Sequence, residues 1–348
     1  MKRPMKLVSE IPCWYGKNAL SCRLSSARDI VDAVILLSDE SWVFRGQLDS
    51  EWPLKTSLER KYGANMITSK DEINAIFEFM NKARLHLNFG CSLLDALAAM
   101  QHYGVATRML DFTRSFFVAL YFAFNGGRQA RTFRDHAIWA IRMNDAFLKS
   151  QGINYELEEG VRTTIDNVTR DNRLKGCDEE DIVQMGFSHL QDKLLNNSIF
   201  RAEKIRKIAE DVLSGKNDEN IVGILPIDVF GSNARMIAQN GLFVMTADFS
   251  SFEDSLSRTL NIKELKFMPV VPVEKLKTAL TETDDVVVLK FVMGEEMIDD
   301  VSNLLKAANI DNSTLFPDLS GIASQIEYKN VHNGMITNAS KYGVHDVT

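Results

Sequence analysis

The stretch Ser41-Trp42-Val43-Phe44-Arg45-Gly46 decides how the rest of the chain is read. Trp42, Val43 and Phe44 are the aromatic and β-branched side chains that suit a pleated, half-buried surface, so the pattern predicts a short strand. An arginine ends that strand and a glycine follows it. A guanidinium beside a strand core requires a partner, because an unpaired buried charge is costly. Gly46 allows a sharp turn or a close approach of the backbone to a ligand. Arg45 is therefore either a brace inside the fold or the holder of an anion in a cleft.

Outward from this strand, helical and extended patterns mix irregularly. Residues 1–24 contain Pro4, Pro12 and Gly16 and read as a strand or arm with loops. Ser26 is placed as an N-cap before Ile30, Ala33, Val34 and Leu37, which fall on one helical face. Ser69 and Glu72 have capping-box spacing, and Ile73, Ile76, Phe77, Met80, Ala83 and Leu87 continue from them as the most regular apolar stripe. A shorter helix through Leu93, Leu94, Leu97 and Ala98 ends at Gly104, and Ser115 to Phe124 predicts a buried helix stopped by Asn125-Gly126-Gly127. Strands are expected at His136 to Arg142, 221–225, 241–245, 267–271 and 285–292, with helices near 233–239, 274–280, 295–308 and 319–327. Residues from about 145 to 220 are polar, helical in pattern and rich in charge, and read as a helical insertion or lid. The expected organisation is an arm over 1–24, one domain over 25–327 with that insertion, and a tail over 328–348. Short strands scattered between helices predict an α+β fold with a mixed or antiparallel sheet.

Composition narrows the function classes. The chain has 348 residues, 45% of them apolar and 25% charged, in the range of a soluble globular protein. A net charge of -7 argues against general nucleic-acid binding, which needs a basic surface. Cys13, Cys22, Cys91 and Cys177 have neither metal-ligand nor disulfide spacing, which fits a reducing compartment and leads us to expect no metal. The basic start Met-Lys-Arg-Pro-Met-Lys lacks a following apolar segment, and no run reaches the roughly 18 apolar residues of a membrane helix. A cytoplasmic location and no membrane partner are expected. No Walker loop, Gly-x-Gly-x-x-Gly, His-Glu-x-x-His or Gly-x-Ser-x-Gly motif is present.

Two further stretches concentrate polar groups. Gln101-His102-Tyr103-Gly104-Val105-Ala106-Thr107-Arg108-Met109-Leu110-Asp111-Phe112-Thr113 leads into the apolar helix at 115. Polar groups this dense at the edge of an apolar element demand partners. They form either a buried network in which Arg108 or Arg45 pairs with Asp111, or a cleft whose hydroxyls and arginine contact a phosphorylated ligand. The second stretch is Arg235-Met-Ile-Ala-Gln239-Asn240-Gly241-Leu242-Phe243, where Gly241 reads as a C-cap and Gln239 is free to close a helix end.

Taken together, these residues resemble the FRG-domain family, named for the motif that stands here as Phe44-Arg45-Gly46. The likeness takes in Gln47, Trp52-Pro53-Leu54, Gln101 to Gly104, Thr107 to Thr113 and Ala119 to Ala123, then Arg235, Gln239 to Phe243 and Thr314-Leu315-Phe316-Pro317-Asp318-Leu319. Phe112 stands where the family commonly has tryptophan. The resemblance implies a bacterial or phage-related intracellular protein in an antiviral defence or toxin setting, without an established reaction.

The layout is also similar to that of ADP-ribosyltransferases, which implies a split-sheet core that binds NAD. On that likeness Arg45, Asp111 and Gln239 take the catalytic positions, with Arg45 on the pyrophosphate or a ribose hydroxyl. Gly46, Gln101, His102, Tyr103, Thr107, Arg108, Phe112, Thr113 and Arg235 surround the bound nucleotide. Thr107 or Thr113 would brace the nicotinamide pocket, and Tyr103 or Phe112 would stack on the ring. NAD cleavage develops positive charge on the ribose, which a carboxylate stabilises better than an amide. With Gln239 in the third position, either Asp111 supplies that carboxylate or the domain binds a nucleotide without splitting it. The implied activity is ADP-ribosyl transfer or NAD cleavage. The alternative is a non-catalytic sensor or interaction module with a structural Arg/Asp network and a protein partner on the insertion.

Overall fold

The computed structural model describes residues 19–39, 41–86, 91–125, 134–144, 202, 204–216, 221, 223–228, 234–260, 265, 268–282, 287–319, 321 and 323. The elements begin with β1 (Ala19–Leu24), α1 (Ala27–Leu36), β2 (Trp42–Gln47), α2 (Ser57–Tyr62), α3 (Ser69–Lys82) and α4 (Leu93–His102). Next come β3 (Met109–Thr113), α5 (Phe116–Asn125), β4 (His136–Arg142), β5 (Ile224–Ile227), α6 (Ala234–Ala238) and β6 (Gly241–Thr246). The described chain closes with α7 (Phe252–Leu260), β7 (Val270–Val271), α8 (Val273–Glu282), β8 (Val288–Met293), α9 (Ile298–Ala307) and α10 (Asn312–Leu315). The fold is α+β, as the sequence predicts.

The strands form one mixed sheet in the order β5-β6-β3-β2-β4-β8-β1-β7. β1 runs parallel to both β8 and β7, and every other pairing is antiparallel. The residues before position 25, expected as an arm or strand, thus end in a strand held inside the sheet. β2 pairs with β4 from Trp42↔Arg142 to Gln47↔Ala137, and β3 pairs with β6 from Met109↔Met245 to Thr113↔Gly241. Between β2 and β3 the only register pair is Phe44↔Thr113. The sheet is therefore two well-laddered parts joined at a single point.

Each part is covered by helices because its strands alternate. In β2, Trp42 and Phe44 enter the apolar cluster under α1, α5, α8 and α9, while Val43 enters the one under α3, α4 and α7. Gly46 lies on the α5 side, where a Cβ would overlap the Ala119 carbonyl oxygen and sit 2.6 Å from the Ala123 nitrogen. The glycine is required by helix packing, since α5 brings the small residues Ala119 and Ala123 down onto the strand.

Some boundaries differ from the sequence reading. The capping box of α3 is Thr68 with Asp71, one residue earlier than Ser69 with Glu72. That shift leaves Glu72 free to turn inward. Phe77, counted in the apolar stripe, is 55% exposed, because its turn of α3 faces solvent. Asn240, at φ 44°, takes the left-handed position assigned to Gly241, and Gly241 opens β6. Most of the expected insertion, residues 145–201, lies outside the described residues, as does the tail over 328–348. A helix over 204–213 is described, and its Ile208, Ala209, Val212 and Leu213 join the core beneath α4. Glu210 accepts the Leu94 amide at 3.0 Å and Arg206 pairs with Asp95 at 2.7 Å. This end of the insertion is docked into the fold.

Candidate functional site

A cavity of about 1140 Å³ opens where β2 and β3 part. Arg45 stands at that opening. Its Nη1 donates to the Asp111 carbonyl at 2.7 Å and lies 3.9 Å from the Asp111 carboxylate. The guanidinium thus spans the gap that the missing ladder leaves between the strands. Its Nε is buried and has no hydrogen-bond partner, although about a fifth of the side chain is open to the cleft. Burial pushes the Arg45 proton affinity down, Asp111 opposes that, and the like charge of Arg60 adds to it.

Asp111 is held from a second direction. Gln101, near the end of α4, donates Nε2 to Asp111 Oδ1 at 2.9 Å and accepts the Thr107 hydroxyl through Oε1. The carboxylate remains 64% exposed to the cleft, so it is oriented without being enclosed. Tyr103 caps α4 with its ring 75% exposed and packed edge-on against His102. Gly104, at φ 80°, then reverses the chain toward β3.

A family model described as FRG domain matches residues 40–132. The chain carries an FRG domain. No curated protein and no solved structure matches the chain.

The FRG domain supplies β2, α4 and β3, and with them Arg45, Gln101, Asp111 and Thr113. The remaining wall of the cleft comes from further along the chain. Thr113 Oγ1 donates to the Gln239 carbonyl at 2.7 Å and accepts the Ser115 amide at 3.0 Å, which ties β3 to the turn before β6. Gln239 Nε2 donates to the Leu315 carbonyl at 3.2 Å. Arg235 pairs with Asp318 at 2.6 Å and lies over the Phe316 ring at 5.5 Å. The Arg235–Phe243 and Thr314–Leu319 stretches, far apart in sequence, are thus one structural unit beside the FRG domain.

Ten of the twelve residues singled out in the sequence line this cleft: Arg45, Gly46, Gln101, His102, Tyr103, Asp111, Phe112, Thr113, Arg235 and Gln239. Phe112 borders it, but its side chain is buried and stacked on Phe252 at 6.4 Å, so of the two candidate stacking rings Tyr103 is the exposed one. Thr107 and Arg108 do not line it. Arg108 is buried on the far side of β3, where it pairs with Glu72 at 2.9 Å, donates to the Thr246 and Ala247 carbonyls at 3.2 Å and lies over Phe249. Burial pushes Glu72 up and Arg108 down, each opposed by the other's charge. The pairing with Asp111 considered for either arginine belongs to Arg45.

Trp52, Lys55, Arg60 and Phe316 also line the cleft and were not singled out as site residues. Trp52 and Phe316 fall in motifs that carry the family resemblance, whereas Lys55 lies just before α2 and Arg60 lies within it between Glu59 and Lys61, an ordinary charged stretch that gives no signal. Among the described residues no cluster of His, Cys, Asp and Glu is arranged to hold a metal, and no helix is long and apolar enough to cross a membrane.

Proposed function

We propose that the cleft binds NAD and supports ADP-ribosyl transfer or NAD cleavage, in an antiviral defence or toxin setting. The observation that carries this reading is Arg45: it lines the opening between two strands, with about a fifth of its side chain open to the cleft. The open part of that guanidinium is a charge-assisted donor for a phosphate or ribose oxygen. The transferase likeness requires three strands to face one cleft, and β2, β3 and β6 are consecutive in the sheet.

NAD supplies the chemistry in its bond between nicotinamide and ribose, which breaks as water or an acceptor takes the ribose carbon. The chain's part is to bind and to place charge. Arg45 would hold an anionic or hydroxyl oxygen, and Tyr103 offers an exposed ring for stacking. Gln239 is already committed to the Leu315 carbonyl and is an amide, so it cannot supply a negative charge. Asp111, exposed and oriented by Gln101, is the carboxylate able to stabilise positive charge on the ribose.

Incubating the protein with NAD and cell lysate, while following nicotinamide release and transfer of the ADP-ribosyl label, tests this reading. Turnover is expected; no turnover together with no calorimetric binding of NAD would overturn it. The non-catalytic reading draws on the bond from Arg45 to the Asp111 carbonyl, which on its own is a structural tie.

A further inference from the structure

Lys55 and Arg60 line the same cleft as Arg45, and both are exposed. Arg60 Nη1 donates to the Lys55 main-chain carbonyl at 2.5 Å, which holds the guanidinium against the chain at Lys55. Neither forms an ion pair among the described residues; Glu59, which interacts with the Lys55 charge and accepts the Phe252 amide at 3.2 Å, does not line the cleft. The other cleft charges are matched: Arg45 against Asp111, Arg235 against Asp318, and Asp95 against Arg206. Two cations without an ion-pair partner in the cleft therefore face a concavity on a chain whose net charge is -7. Arg60 is also close enough to Arg45 for their like charges to interact unfavourably. Cations gathered around a concave, partly desolvated space repel one another, and an anion placed between them turns that repulsion into attraction. Trp52, 49% exposed on the same rim, adds an aromatic face to the cations.

We infer that Lys55 and Arg60 form the diphosphate-binding edge of the cleft, so that the ligand is a nucleoside diphosphate ester rather than a nucleoside or a monophosphate. This rests on the nucleotide reading of the same site. Two cleft-lining cations outside any ion pair suit the two negative charges of a diphosphate link, and the exposed Trp52 and Tyr103 suit its aromatic end groups.

Calorimetric titration of the full chain with NAD, ADP, AMP and adenosine tests the inference. Wild type should bind NAD and ADP at least about tenfold more tightly than AMP, and adenosine most weakly. The Lys55→Gln/Arg60→Gln double variant should lose about tenfold or more for NAD and ADP, keep its adenosine affinity and melt like wild type. If the double variant binds NAD and ADP as wild type does while Arg45→Ala loses them, the diphosphate edge is refuted and the nucleotide reading stands. An equal loss for adenosine also refutes it, since the effect would not run through phosphate. Binding of none of the four by wild type overturns both.

Discussion

Arg45 and Gly46 are neighbours in sequence, yet the alternation of β2 gives them opposite surroundings. Arg45 points to the cleft and Gly46 to the backbone of α5. The sequence makes the arginine's need for a partner legible, because a cation beside Trp42, Val43 and Phe44 requires one. It does not tell which partner, since Asp111 lies 66 positions away and is met through its main-chain carbonyl as well as its side chain. The glycine was open to a turn or a ligand contact, and neither accounts for it: the cause is a helix arriving from residue 116 onward. Gly46→Ala should therefore destabilise the protein by about 3 kcal/mol or more, at the upper end of overpacking costs, because the obstructing atoms are backbone. Urea unfolding checks this, and a wild-type midpoint would contradict it.

For the elements, existence and type were more legible than boundaries and partners. The apolar runs behind β3, α5, β4, β6 and β8 carry their own signal in pattern and composition. β1 carries less, because its place depends on parallel pairing with β8 more than 260 residues later. At the start of α3, Thr68 with Asp71 and Ser69 with Glu72 both satisfy capping-box spacing, so local chemistry cannot choose between them. Packing chooses: Glu72 is needed inside, against Arg108. Replacing either partner alone, as in Glu72→Gln or Arg108→Met, should cost about 3–5 kcal/mol, because a buried charge is left unmatched. The double variant Glu72→Leu/Arg108→Met should cost less than the sum of the two single changes, measured by urea unfolding. Single variants with wild-type stability would contradict this account of the pair.

Across the whole molecule, the sheet is continuous in name but split in effect between β2 and β3, and the cleft occupies the split. The sequence could point to three polar stretches because each is dense in groups that need partners. It could not show that the third is completed by Phe316 and Asp318, or that Lys55 and Arg60 face the same space, because those contacts arise only from the folded chain. The split gives Asp111 its setting: a carboxylate held by Gln101, facing a cavity lined by cations, where the transferase likeness would place a charge at Gln239. The most direct measurement is the rate of nicotinamide release from NAD by wild type and by Asp111→Asn, with NAD affinity measured alongside. The account predicts that Asp111→Asn binds NAD within a few-fold of wild type and releases nicotinamide at least about a hundredfold more slowly, the scale of losing one electrostatic stabiliser. Equal rates for the two proteins would contradict it.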